Sequence, residues 1–132
     1  MQVRQAKIFV VEDNPVFQTL VHRQLETISQ DVRIFSKGEQ FLAELNDEVD
    51  IIVLDYHLEG TMTGYDVLKA LKGMENSPPV IFFSANLELT ITSSILKLGV
   101  AEYIEKSIFT LARLKDCVTK VLKSSMGASL VL

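Results

Sequence analysis

Ile8-Phe9-Val10-Val11-Glu12-Asp13-Asn14-Pro15 runs four apolar residues into two acids, then into an N-cap residue followed by proline. A short, uninterrupted and largely β-branched run reads as a strand buried on both faces. Asn14 with Pro15 at the first helical position turns that strand straight into a helix. The same punctuation recurs along the chain. Ile51-Ile52-Val53-Leu54 ends on Asp55, Val80-Ile81-Phe82-Phe83 ends on Ser84, and Tyr103-Ile104 is followed by Lys106. If these runs are parallel strands, their polar end residues converge on one edge of one sheet.

Between the runs lie segments of helical spacing, and strands alternating with helices predict a parallel sheet covered on both faces. The first helix carries Phe17, Leu20, Val21, Leu25 and Ile28 on one stripe. Val32 to Phe35 forms the second strand, and Ser36 with Glu39 predicts a capping box for a helix bearing Phe41, Leu42 and Leu45. The third helix holds Val67, Leu68, Leu71 and Met74, and Ser77-Pro78-Pro79 breaks the chain before the fourth strand. The fourth helix spaces Leu87, Ile91, Ile95 and Leu98 and ends at Gly99; the fifth carries Leu111, Leu114, Val118, Val121 and Leu122. The second strand contains Arg33 and the fifth is the mixed segment Glu102-Tyr103-Ile104-Glu105, so both read as edges. The fold class predicted is α/β, a flavodoxin-like doubly wound five-stranded parallel sheet of order 2-1-3-4-5 with five helices. That order makes the first and third strands neighbours at the switch point, with Asp13 facing Asp55.

A chain of 132 residues with 48% apolar content suits one hydrophobic core. The expected division is a domain over 1–124 and a tail or linker over 125–132. With 13 basic and 17 acidic residues the net charge is −4, and no Lys/Arg cluster marks a nucleic-acid surface, so no direct nucleic-acid binding is expected. A single cysteine, Cys117, reads as a packing residue in a reducing compartment. No run suits a signal-peptide core or a membrane span, so the expectation is a cytoplasmic protein without membrane contact.

Clustered carboxylates repel each other, and they are sensible together only around a divalent cation. Mg2+ suits a set of carboxylate and carbonyl oxygens, and it lets a carboxylate approach a phosphoryl group despite their like charges. If Asp55 received a phosphoryl group, Lys106 would neutralise one of its oxygens and the Ser84 hydroxyl would hydrogen-bond another. The arrangement reads as a metal-dependent phosphoryl site.

The chain resembles the receiver domains of two-component response regulators. The resemblance rests on Val10-Val11-Glu12-Asp13-Asn14-Pro15, on Val53-Leu54-Asp55-Tyr56-His57-Leu58 with Gly64 beyond, on Phe83-Ser84-Ala85, and on Leu98 through Lys106. It implies that Asp55 accepts a phosphoryl group from a phosphohistidine on a histidine kinase or histidine phosphotransfer protein. It further implies that Asp13 ligates Mg2+ directly, that Glu12 acts largely through water, and that His57 supplies its backbone carbonyl. Ser84 and Tyr103 hold the positions of the family's switch pair, which implies an output surface on the fourth helix, fifth strand and fifth helix, facing a downstream protein or effector domain. Such domains promote only their own phosphorylation and dephosphorylation and are not enzymes in the wider sense.

Competing readings fare worse. A haloacid-dehalogenase-like phosphatase would need an acid two residues beyond Asp55, where His57 stands, and neither a flavin phosphate loop nor a P-loop is present. The remaining alternative is a receiver-like interaction module that is not phosphorylated. Ser107 follows Lys106 where the family usually has a proline in a cis peptide; the expectation here is a trans Lys106-Ser107 bond, with Ser107 capping the next helix near Ile108 to Thr110 and Lys106 reaching the site with looser geometry.

Overall fold

The structure, a computed structural model, describes residues 4–132; residues 1–3, the start of the expected 1–124 domain, lie outside the described residues. The strands are β1 (Arg4–Gln5), β2 (Lys7–Val11), β3 (Asp31–Phe35), β4 (Ile51–Leu54), β5 (Val80–Ser84), β6 (Glu102–Glu105) and β7 (Leu130–Val131). The α-helices are α1 (Pro15–Glu26), α2 (Gly38–Glu44), α3 (Gly64–Lys72), α4 (Leu89–Leu98) and α5 (Leu111–Met126). Five strands form one parallel sheet in the order β3-β2-β4-β5-β6. Counted from Lys7–Val11, this is the expected 2-1-3-4-5.

Burial follows the strand assignment. β4 and β5 are buried at every residue, whereas the edge strands β3 and β6 alternate with exposed positions. Because side chains alternate across a strand, Ile8, Val10, Ile51, Val53, Ile81 and Phe83 pack under α1 and α5. Phe9, Val11, Ile52, Leu54, Val80 and Phe82 pack under α2, α3 and α4. Each fully buried side chain contributes roughly 1.5–3 kcal/mol, which suffices to override the weak intrinsic preference of short helices such as α2.

Local chemistry sets the helix starts. The Asn14 side chain accepts from Val16 N–H and Phe17 N–H at 3.0 and 3.1 Å, with Pro15 at N1, as expected. The Ser36/Glu39 capping box is not formed. Lys37 is the N-cap of α2 without a side-chain bond, because the Ser36 hydroxyl accepts from Gln18 Nε2 and the Glu39 carboxylate accepts from Met62 N–H at 3.2 Å. The capping box stands instead at α3, between Thr63 and Asp66. Met74, expected on the inner stripe of α3, lies beyond the helix end and is exposed.

The chain ends also depart from the simple pattern. α5 continues through Met126, past the expected boundary at 124, and β7 pairs in parallel with β1, Arg4 with Leu130 and Gln5 with Val131. Arg4 anchors this pair through a bidentate contact to Asp50, both bonds 2.6 Å. Cys117 is partly buried on α5 against the core, and burial pushes its thiol up, which suits a packing role. No helix among the described residues is long and apolar enough to cross a membrane.

Candidate functional site

The carboxyl ends of β2, β4, β5 and β6 bring together Glu12, Asp13, Asp55, Ser84 and Lys106. β2 and β4 are neighbours, and the Asp55 N–H donates to the Val11 carbonyl at 3.0 Å, so Asp55 lies directly beside the acidic pair. One carboxylate oxygen each from Glu12, Asp13 and Asp55 falls within 4.8 Å of the others. Glu12 and Asp55 are buried, at 2% and 4% exposure, and Asp13 is half-buried at the rim.

Lys106 ties two of the acids together. Its Nζ donates to Asp55 Oδ2 at 2.7 Å and to Glu12 Oε1 at 2.8 Å, while lying 4.9 Å from the centre of the Phe17 ring. The second oxygens are also engaged: Asp55 Oδ1 accepts from Tyr56 N–H at 2.8 Å, and Glu12 Oε2 from Asn14 N–H at 3.0 Å. Burial pushes the Glu12 carboxyl up to about 7; the Lys106 hydrogen bond opposes this and the Asp55 charge adds to it. Burial works against the Lys106 ammonium, but hydrogen bonds to Asp55 and Glu12 outweigh it and hold the group above its ordinary value. Three hard carboxylate donors around one lysine leave an excess of negative charge, a donor set suited to a hard divalent cation.

A model of the response regulator receiver domain matches residues 8–119. The chain belongs to this family. The receiver domain is 31% identical over 100 residues to the transcriptional regulatory protein CpxR of Escherichia coli, covering 76% of this chain and 42% of that protein. It is 32% identical over 100 residues to CssR of Bacillus subtilis, covering 75% of this chain and 44% of that one. It thus spans less than half the length of these curated relatives. Among solved structures, a CheY-like receiver domain protein from Methanospirillum hungatei superposes with a TM-score of 0.82 at 19% identity, over 93% of this chain and 98% of that chain. The phosphorylated cyanobacterial phytochrome response regulator RcpA gives 0.74 at 25% identity, over 94% and 96%.

The remaining site residues sit around this receiver cluster. Ser84 is fully buried, and its hydroxyl accepts from Tyr56 N–H at 3.4 Å. His57 follows Asp55 by two residues and its ring is exposed, packed edge-on against Tyr56 at 4.9 Å between centroids. Tyr103, half-buried on β6, stacks on Phe82 at 5.7 Å and donates its hydroxyl to the Ala85 carbonyl at 3.4 Å, next to Ser84. The described residues contain no cis peptide bond. Ser107 Oγ accepts from Phe109 N–H at 3.1 Å, but α5 begins only at Leu111, so Ser107 closes a turn ahead of the helix rather than capping it. The expected looseness of Lys106 is also corrected, since both of its carboxylate contacts are short: the Lys106 N–H donates to the Ser84 carbonyl at 2.7 Å and fixes the root of the side chain.

Two contributors escaped the sequence reading, the Thr63–Asp66 capping box and Gln18, and Gly64 was read only as part of the family resemblance. Gly64 approaches the strand end so closely that a Cβ there would run into the Asp55 carbonyl oxygen, and its N–H donates to the Tyr56 carbonyl at 2.7 Å. Thr63-x-x-Asp66 was legible as a capping-box pattern, and it fixes the loop after Asp55 against α3. Gln18 carries no such signal, because its side-chain partners lie 6 and 18 residues away.

Proposed function

We propose that Asp55 accepts a phosphoryl group, in a Mg2+-dependent step, from a phosphohistidine on a histidine kinase or histidine phosphotransfer protein. The observation that carries this reading is the Asp55 carboxylate at a buried central strand end, held by Lys106 at 2.7 Å and sharing a 4.8 Å cluster with Glu12 and Asp13. Glu12, Asp13 and Asp55 would hold the cation, with the His57 carbonyl as a further oxygen donor. Bound there, Mg2+ supplies charge neutralisation between the attacking carboxylate and the phosphoryl oxygens. An Asp55 oxygen forms the new bond to phosphorus as the phosphorus–nitrogen bond of the phosphohistidine breaks, and the departing imidazole takes up a proton. Lys106 then moves its hydrogen bond from the Asp55 carboxylate to a phosphoryl oxygen, and the Ser84 hydroxyl donates to another.

The output follows from what Ser84 and Tyr103 touch. A Ser84 hydroxyl drawn toward the phosphoryl group disturbs the strand end whose neighbour, the Ala85 carbonyl, holds the Tyr103 hydroxyl. New contacts to the phosphoryl group bias a two-state element, and the surface of α4, β6 and α5 carries the change to a downstream protein or effector domain. Phosphorylated RcpA, a structural relative, supports a phosphoacceptor role for this fold.

The test is intact mass after exposure to a small phosphoryl donor with Mg2+. Wild type gains one phosphoryl group and Asp55→Asn gains none. Equal labelling of both proteins removes Asp55 as the acceptor, and an unlabelled wild type replaces this reading with the unphosphorylated interaction module.

A further inference from the structure

Gln18 closes the first turn of α1, outside the carboxylate cluster, yet its side-chain amide reaches back across the helix start. Its Nε2 donates to the Glu12 carbonyl oxygen at 2.6 Å and to Ser36 Oγ at 3.0 Å, using both of its hydrogens. Its own backbone N–H donates to the Asn14 carbonyl at 2.9 Å, so the residue is rooted in the first helical turn. The other side of the Glu12 residue is also tied, since the Glu12 N–H donates to the Phe35 carbonyl at 2.8 Å. From this geometry we infer that Gln18 is a positioning residue for the acidic pair, setting the directions of the Glu12 and Asp13 carboxylates toward a bound divalent cation.

The argument is one of backbone geometry. A peptide bond is planar, so fixing the Glu12 carbonyl fixes the whole Glu12-Asp13 peptide plane, including both flanking Cα atoms. Those Cα atoms carry the two carboxylates of the cluster. The Asp13 side chain, half-buried at the rim, accepts no hydrogen bond among the described residues, so its direction follows from its backbone, held on one side by this tie and on the other by the Asn14 N–H bond to Glu12 Oε2. The Ser36 contact extends the tie to the end of β3, which locks the helix start, β2 and β3 into one frame. Without the amide, the Glu12 carbonyl side of the junction is released and must be ordered when a cation binds, and affinity falls accordingly. Outer-shell partners that orient metal ligands commonly contribute about ten- to a hundredfold in affinity.

This inference rests on the reading of Glu12, Asp13 and Asp55 as the cation site. The test is a Mg2+ titration of the intact chain followed by backbone amide shifts of Tyr56 and Asp13, with urea midpoints measured in parallel. Gln18→Leu, which keeps volume and loses both donors, raises the Mg2+ Kd about tenfold. Ser36→Ala, which removes only one of the two partners, shifts it in the same direction by less, and serves if Gln18→Leu does not fold. Val21→Ala truncates a fully buried residue of α1; it lowers the urea midpoint and leaves the Kd at the wild-type value, separating positioning from general stability. An unchanged Kd in Gln18→Leu overturns the positioning role alone, as does an equal loss of affinity in Val21→Ala. A wild type with no saturable Mg2+ response overturns the cation site itself, and the positioning role with it.

Discussion

Lys106 Nζ stands 2.7 Å from Asp55 Oδ2, joining side chains 51 positions apart in the chain. The same ammonium reaches Glu12 at 2.8 Å, so one cation neutralises two nearly buried carboxylates that would otherwise repel each other. In this structure Lys106 is therefore a structural tie, and its proposed phosphoryl contact would be made by exchanging one oxygen acceptor for another. A lysine suits this, being a point charge with freely rotating donors rather than a rigid fork.

Removing that charge exposes the repulsion. Lys106→Met, which keeps the apolar stem over Phe17, should lower the stability of the metal-free protein by roughly 2 kcal/mol, the scale of a hydrogen bond to a charged group. Urea unfolding at pH 7.5 in chelator measures this. A midpoint equal to wild type would show that the tie contributes nothing.

Glu12 makes stability depend on pH. Its carboxyl sits at about 7 in the folded protein against an ordinary 4.5, so between those values the folded state holds a proton that the unfolded chain releases. Stability falls with rising pH wherever the folded state binds more protons. The metal-free protein should thus lose stability from about pH 4.5 to about pH 7 through this group and level off above. Urea midpoints across that window should fall less steeply for Glu12→Gln than for wild type; parallel profiles would remove Glu12 as the source.

Sheet order was legible because burial on two faces demands continuous apolar runs, as in Ile51-Ile52-Val53-Leu54, and an edge strand tolerates Arg33. The positions of Glu12, Asp13, Asp55, Ser84 and Lys106 follow from that order, since each ends or follows a strand of one parallel sheet. Side-chain partnerships across elements were not legible. Ser36-x-x-Glu39 satisfies a local capping pattern, but Gln18 and Met62 N–H, distant in sequence, take those oxygens instead. The short reach of Lys106 depends on a backbone bond to the Ser84 carbonyl, and the pairing of β1 with β7 joins segments too short to show any periodicity.

Asp13 contributes repulsion without the Lys106 contact that Glu12 and Asp55 enjoy. A cation that binds only the folded state raises apparent stability by mass action. Melting temperature should therefore rise with Mg2+ in wild type, and Asp13→Asn should abolish the rise while leaving the metal-free protein at least as stable. Differential scanning calorimetry with and without Mg2+ decides this; a normal Mg2+ response in Asp13→Asn would take Asp13 out of the cation site.

Two glycines at the ends of α3 should respond to alanine with opposite signs. At Gly64 the new Cβ meets the Asp55 carbonyl oxygen and comes within 2.9 Å of Tyr56 Cα, backbone atoms that cannot swing aside. The Thr63–Asp66 capping box fixes the other side of the contact, so the strain falls on the segment carrying Asp55, the proposed phosphoacceptor. Gly64→Ala should cost roughly 1–3 kcal/mol, as overpacking commonly does, and should slow phosphoryl uptake by displacing Asp55. At Gly73 the backbone is helical, φ −80° and ψ −6°, and the nearest atom to an added Cβ is 3.5 Å away. Gly73→Ala should therefore gain about 0.4–1 kcal/mol by restricting the unfolded chain. Urea unfolding of the two variants reads both signs. A Gly64→Ala protein as stable as wild type would mean that the close approach between α3 and the Asp55 carbonyl does not constrain the site.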